Sequence, residues 1–193
     1  MVPALVSLCV LAGCTSGGGK KVLVMASGKV AVNGNTITLK PGSSHNEVTV
    51  EPNGGKVTVI TGTASKDYEV KESGLYILNI KTDTIVGSYL QTGTNPTPRA
   101  ITEEEVNKRT DSLRQLMSGT NVNAQSKNYN IPPSSIGFVT KNTDAQIIGP
   151  YLNVPASFDP SQKHEIYKFY TNKEIAELLE KLDKMHSKIK LAN

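Results

Sequence analysis

The sequence is poor in the side chains that most often carry redox, metal or nucleophilic chemistry. It has two cysteines, Cys9 and Cys14, and none from Thr15 to Asn193. That stretch therefore has no disulfide, zinc thiolate or cysteine nucleophile to offer, and its stability must come from packing. Tryptophan is absent and phenylalanine occurs three times, so the seven tyrosines have to supply most of the aromatic surface. Charge of one sign is lacking as well. Residues 1–100 hold 9 basic and 6 acidic residues and residues 101–193 hold 12 and 11, so no basic stripe of the kind that tracks nucleic acid exists. No apolar run reaches the roughly 20 residues that a membrane-spanning helix needs. His45, His164 and His186 have no second histidine two to four positions away, and Lys168 stands where His164-Glu165 would need one to open HExxH. There is no GxSxG elbow, and Gly17 to Lys21 lacks the spacing of a phosphate-binding loop.

What is present begins at the N-terminus. Residues 1–13 carry no charge and are rich in Val, Leu and Ala, as in the apolar region of a secretory signal. They end in Leu11-Ala12-Gly13-Cys14, which resembles the lipobox of bacterial lipoproteins. The resemblance implies a diacylglyceryl group on the Cys14 thiol, cleavage between Gly13 and Cys14, and acylation of the new amine. The implied partner is membrane lipid, since two or three acyl chains anchor stably where one does not. The sequence departs from the pattern in opening Met1-Val2-Pro3, without Lys or Arg, which points to a start further upstream or to trimming. Thr15 stands where aspartate would signal inner-membrane retention in enteric lipoproteins, and the linker has no acidic cluster. The expected location is the cell envelope, on the periplasmic face of the outer membrane. Residues 14–21 are rich in Gly and Ser and read as a flexible tether.

Beyond the tether the pattern predicts an α+β fold. Residues 22–92 read as an antiparallel β-sandwich or meander. Asn33-Gly34-Asn35 separates two alternating segments and predicts a hairpin. Val48–Val50 and Val57–Val59 predict a second hairpin about Glu51–Lys56. Tyr68 to Leu78, with Ser73-Gly74-Leu75-Tyr76, resembles the late hairpin of immunoglobulin-like extracellular domains. Residues 93–137 form an expected linker holding a helix at about 102–118, because Thr102 and Glu105 have capping-box spacing and Gly119 can end the helix. The Asn/Ser/Pro-rich stretch 120–137 is expected to be a functional or mobile loop. Residues 138–193 predict a small sheet closed by an amphipathic helix at about 172–190, with Thr171 and Glu174 as the second capping box and Ile175, Leu178, Leu179, Leu182, Met185 and Ile189 as its apolar stripe. Ile131-Pro132-Pro133, Ile148-Gly149-Pro150-Tyr151 and Tyr167 to Glu174 are similar to segments of small uncharacterised lipoproteins of Bacteroidota, a likeness that implies location and no activity.

The candidate ligand surface is Tyr151, Tyr167, Phe169 and Tyr170, since tyrosine offers a flat apolar face and a polar tip. The competing and weightier expectation is that these residues pack the last helix against the small sheet. Glu103-Glu104-Glu105 falls in a first helical turn, where acids complement the helix dipole, and Glu47 and Glu51 alternate with valines as the solvated face of a strand. No catalytic residue, metal ligand or cofactor follows from the sequence. The functional expectation is a non-enzymatic binding or scaffolding module of the envelope, with a glycan or protein ligand and no nucleic acid. The alternative is a hydrolase or enzyme inhibitor acting on envelope glycans or peptides.

Overall fold

A computed structural model of the protein describes residues 19–90, 102–123, 125–151 and 165–192. The expected signal, Cys14 and most of the tether lie outside these residues, as do residues 93–101 of the expected linker. The chain runs β1 (Lys20–Ala26), β2 (Lys29–Asn33), β3 (Thr36–Lys40), β4 (Asn46–Val50), β5 (Lys56–Thr61), β6 (Ala64–Glu69) and β7 (Gly74–Ile80). Then come β8 (Ile85–Leu90), α1 (Glu103–Ser118), β9 (Asn128–Ile131), β10 (Ser135–Thr140), β11 (Gln146–Ile148), β12 (Ile166–Thr171) and α2 (Asn172–Ala192). This is the expected α+β class.

The strands form three four-stranded sheets: a central one ordered β10-β7-β1-β4, an outer one ordered β2-β3-β5-β6, and an inner one ordered β11-β12-β8-β9. Three apolar clusters stack these sheets. Val22, Val24, Tyr76 and Leu78 of the central sheet meet Ile37, Val57, Val59 and Tyr68 of the outer sheet. On its other face, Met25, Leu75 and Ile77 meet Ile85, Ile131, Tyr167 and Phe169 of the inner sheet. Val86 on the far face of the inner sheet meets Leu116 of α1 and Ile175 of α2. The order of layers is therefore outer sheet, central sheet, inner sheet, helices.

The sequence explains that order. A strand buried on both faces needs a continuous apolar run, because successive side chains point to opposite sides. Leu75-Tyr76-Ile77-Leu78 in β7 is such a run and every member is buried. The outer sheet has one wet face, and β5 alternates accordingly: Val57 and Val59 are buried and Lys56 and Thr61 exposed.

The hairpin at Asn33-Gly34-Asn35 forms between β2 and β3, with Gly34 at φ 55°. The other two expected hairpins do not. β4 pairs with β1 in the central sheet while β5 pairs with β3 and β6 in the outer sheet. Likewise β6 stays in the outer sheet and β7 enters the central one, so the immunoglobulin-like hairpin is also replaced by an arch. Alternation reports which side chains are buried and is blind to whether a turn folds back in one sheet or crosses the roughly 10 Å to the next. The sandwich is mixed rather than purely antiparallel, since β1–β7 and β3–β5 are parallel. Strand pairing also crosses the division expected near residues 93–137, because β10 completes the central sheet against β7. Gly74 permits that approach: a side chain there would strike the Thr140 carbonyl and the Phe138 ring.

Both helices start as expected. The Glu105 amide donates to Thr102 Oγ1 at 3.2 Å and the Thr102 amide to Glu105 Oε2 at 3.1 Å. The Glu174 amide donates to Thr171 Oγ1 at 3.2 Å and the Thr171 amide to Glu174 Oε2 at 2.7 Å. Gly119, at φ 71°, closes α1. His186 near the end of α2 contacts Glu103 at the start of α1, Nε2 to Oε1 2.8 Å, so the two helices run antiparallel. The stretch 120–137 is not a structureless loop. Asn128–Ile131 forms β9, because Tyr129 and Ile131 alternate inward between asparagines that mask the strand signal.

Candidate functional site

A groove of about 430 Å³ lies where the edge of the central sheet overhangs the inner sheet. β10 supplies Phe138, Val139 and Thr140, the segment before β9 supplies Val122 and Lys127, and Tyr129, Glu165 and Tyr167 form its floor. Glu165 lies two positions before Tyr167, so both side chains leave the strand direction on the same side. The Tyr167 hydroxyl donates to Glu165 Oε1 at 2.5 Å, and Thr140 Oγ1 donates to the same oxygen at 3.1 Å. Lys127 Nζ stands 3.8 Å from that oxygen and 4.2 Å from the centre of the Tyr89 ring. Lys127 adopts φ 51°, a left-handed conformation uncommon for a side-chain-bearing residue, and its ammonium is aimed into the groove from that backbone. The Tyr129 hydroxyl donates to the Val139 carbonyl at 2.7 Å and ties the two sheets together under the groove.

These contacts fix where the protons are. Burial by itself would raise the Glu165 carboxyl, but hydrogen bonds from Tyr167, Asn142 and Thr140, with the charge of Lys127, outweigh it and hold the carboxyl below its ordinary range. Burial, followed by the bond to Glu165, pushes the Tyr167 phenol well above its ordinary value. Burial also raises Tyr129. At neutral pH the groove therefore presents an anchored carboxylate, a phenol whose proton is already committed, and an ammonium at the rim. A general acid or base needs a pKa near the working pH, and neither Glu165 nor Tyr167 has one.

The four aromatic residues expected to form a ligand surface do not all share one, although Phe169 and Tyr170 both line a depression between β12 and α2. Tyr167 and Phe169 are 1% exposed and sit between the sheets, with only the hydroxyl end of Tyr167 reaching the groove floor. Tyr170 follows the period of two onto the opposite face and packs beside α2. Tyr151 lies against a separate cluster. Lys81 Nζ donates to the Ser44 carbonyl at 2.6 Å, approaches His45 Nδ1 at 3.3 Å and stands 4.1 Å from the centre of the Tyr151 ring. His45 Nε2 meets Glu47 Oε1 at 2.9 Å. Burial lowers the Lys81 ammonium, partly offset by Asp83 and Glu47. Burial, then the charges of Asp83, Glu174 and Glu47, pushes the Tyr151 phenol up to about 12, and its buried hydroxyl has no hydrogen-bond partner among the described residues. This cluster ties the β7–β8 turn to the start of β4.

Sequence reasoning missed Glu165, Lys127, Tyr129 and Thr140. A signal for one pair existed: Glu165 and Tyr167 at i and i+2 of a strand share a face. His164 lies outside the described residues. Among the described residues no three His, Cys, Asp or Glu side chains converge as a metal set, and no helix is long and apolar enough to cross a membrane. Compared with known proteins, the chain matches no family model, no curated protein and no solved structure.

Proposed function

We propose that the chain is a lipid-anchored lipoprotein of the cell envelope that acts as a non-enzymatic binding module, with the groove at Glu165, Tyr167 and Lys127 as its ligand site. The observation that carries the binding reading is the groove's chemistry. An anchored carboxylate, an exposed cation and apolar rim residues lie around one open depression, where the Glu165 carboxyl is held below its ordinary range and the Tyr167 phenol above its own. An amphipathic ligand such as a glycan or a peptide segment fits that set. The anchor rests on the lipobox resemblance at Leu11-Ala12-Gly13-Cys14, and a short tether before β1 would hold the groove near the membrane, on the periplasmic face of the outer membrane.

The test has two arms. Wild type and Cys14→Ala are expressed in bacteria fed a clickable fatty acid; label on wild type and none on Cys14→Ala is expected, and label retained by the variant overturns the anchor. Envelope extracts and fragments are then passed over the immobilised Cys14→Ala protein with and without Lys127→Glu. Lys127 is half exposed, so reversing its charge should leave the fold intact while depleting the captured ligand about tenfold. Equal capture by both forms, or none by either, overturns the groove as a ligand site.

A further inference from the structure

We infer that the ligand taken at this groove is an extended, acid-bearing peptide segment that adds to β10 as a fifth strand of the central sheet. The inference rests on the reading of the groove as a ligand site and narrows it from any amphipathic molecule to a polypeptide in one conformation.

An edge strand presents unpaired main-chain N–H and C=O groups, and proteins guard long edges with charged residues. Among the described residues, β2 carries Lys29, β4 carries Glu47, and β6 carries Lys66, Asp67 and Glu69. The edges β9 and β11 have no charge but are four and three residues long. β10, Ser135-Ile136-Gly137-Phe138-Val139-Thr140, is six residues long, uncharged, and pairs only with β7 among the described residues. Among the described residues it is the one sheet edge longer than four residues that carries no charge, and it belongs to the sheet packed on both faces. Ile136 packs toward the outer sheet and Val139 is buried toward the inner one, so the strand is held on both faces before any partner arrives. A pre-ordered edge loses little entropy when a strand joins it.

The register of β10 divides the edge into two parts. Ser135 to Phe138 pairs regularly with β7, and a shift follows between Phe138 and Thr140. Beyond that bulge the Val139 carbonyl is taken by Tyr129, and the groove opens along Phe138 to Lys141. A partner strand would pair its main chain with the regular part and place its next side chains over the groove. Phe138, 40% exposed, and Val122, 39% exposed, offer apolar contact there. Lys127 and the exposed Lys141 flank the opening; Glu165, 3.8 Å from Lys127, answers one of these charges, so the rim holds one more cation than carboxylate and suits an incoming carboxylate. The regular ladder of donors and acceptors selects a polypeptide over a glycan, because only an extended main chain repeats N–H and C=O at that spacing. A second copy of β10 is the poorer occupant: residues 132–143 contain no acidic side chain to meet Lys127 and Lys141.

The experiment uses the full chain with Cys14→Ala. A displayed library of random octapeptides is selected on it, in parallel with a panel of soluble envelope glycans. The selected peptides are synthesised as such and with N-methyl groups at alternate residues, which remove main-chain donors without changing side chains. The inference expects acid-containing, β-branched sequences that weaken about tenfold on N-methylation in one of the two alternating frames. It also expects slowed amide exchange in Ser135–Phe138 on binding, and about fivefold weaker binding to Lys141→Glu, a difference that shrinks in high salt. Peptides that bind equally well after N-methylation in either frame overturn it. So does protection of Ser135–Phe138 that depends on protein concentration alone, since the occupant is then a second copy. Glycan binding that Lys127→Glu removes, with no peptide selected, overturns the strand while leaving the groove as a ligand site. No binding of either class overturns both.

Discussion

The two faces of the central sheet are built from different materials. Toward the outer sheet lie Val22, Val24, Val50 and Leu78, answered by Ile37, Val57 and Val59. The polar atom of Tyr76 on this face turns back locally, donating to the Glu72 carbonyl at 2.9 Å and accepting from its amide at 3.0 Å. Toward the inner sheet the core is more aromatic, with Tyr167 and Phe169 fully buried and Tyr129 packed edge-on to Tyr167 at 5.6 Å between centroids. Polar groups are set into that face. Asn79, 0% exposed, donates to the Asp83 and Ile131 carbonyls at 2.8 and 3.0 Å and accepts from the Lys81 amide at 3.0 Å. The difference teaches where a site can be placed. Stiff branched side chains fill space and leave nothing to hydrogen-bond, whereas tyrosines bring hydroxyls that must be satisfied and so organise the carboxylate and carbonyls around them.

The comparison is broken most directly by emptying each face in turn. Phe169 rests on Gly87, where any side chain would collide with its ring, so its removal leaves a hole that flanking residues reach only by moving the sheet. Phe169→Ala should lower stability by about 4 kcal/mol and Leu78→Ala by about 3 kcal/mol, both read from urea midpoints. A smaller loss for Phe169→Ala than for Leu78→Ala would mean that the inner-sheet face relaxes more easily than the dry one. The polar inlays separate the faces further. Asn79→Leu keeps the volume but strands two carbonyls and an amide, and should cost about 3 kcal/mol. Tyr76→Phe, its counterpart on the dry face, loses bonds in a half-buried setting and should cost about 1 kcal/mol. Equal losses for this pair would show that the inlays carry no more of the fold than the local tyrosine loop does.

The sequence carried the local structure of both faces and little of their assembly. Capping boxes at Thr102–Glu105 and Thr171–Glu174 mark both helix starts, because a cap is written within four residues. The doubly buried β7 is legible as an unbroken apolar run. The arches after β4 and β6 are not, since the residues that turn a hairpin also turn a chain from one sheet to another, and the choice is made by contacts twenty or more positions apart. The site was hidden for the same reason. Tyr167 stands out in the sequence for its own chemistry, yet its meaning comes from Thr140 and Lys127, which reach Glu165 from other parts of the chain. Phe169 and Tyr170 are neighbours in sequence, but a strand sends adjacent side chains to opposite faces.

A smaller change in stability is expected at the groove. Glu165 is held below the ordinary carboxylate range by Tyr167, Asn142, Thr140 and Lys127 acting against burial. A group whose folded pKa lies below its unfolded value of about 4.3 binds fewer protons when folded, so its stabilisation is complete above that value. The stabilisation is lost as pH falls from there through the folded pKa. Glu165→Gln retains an acceptor for the Tyr167 hydroxyl and loses the charge, so it should lower stability by about 1 kcal/mol at pH 7. The gap between wild type and Glu165→Gln should stay constant from pH 7 to about pH 5 and close in more acid solution. Urea unfolding at a series of pH values measures it. A gap that persists unchanged at pH 2 would mean that the shape of the side chain, rather than its charge, holds the groove floor. The groove would then resemble the dry face of the central sheet more closely than its polar lining suggests.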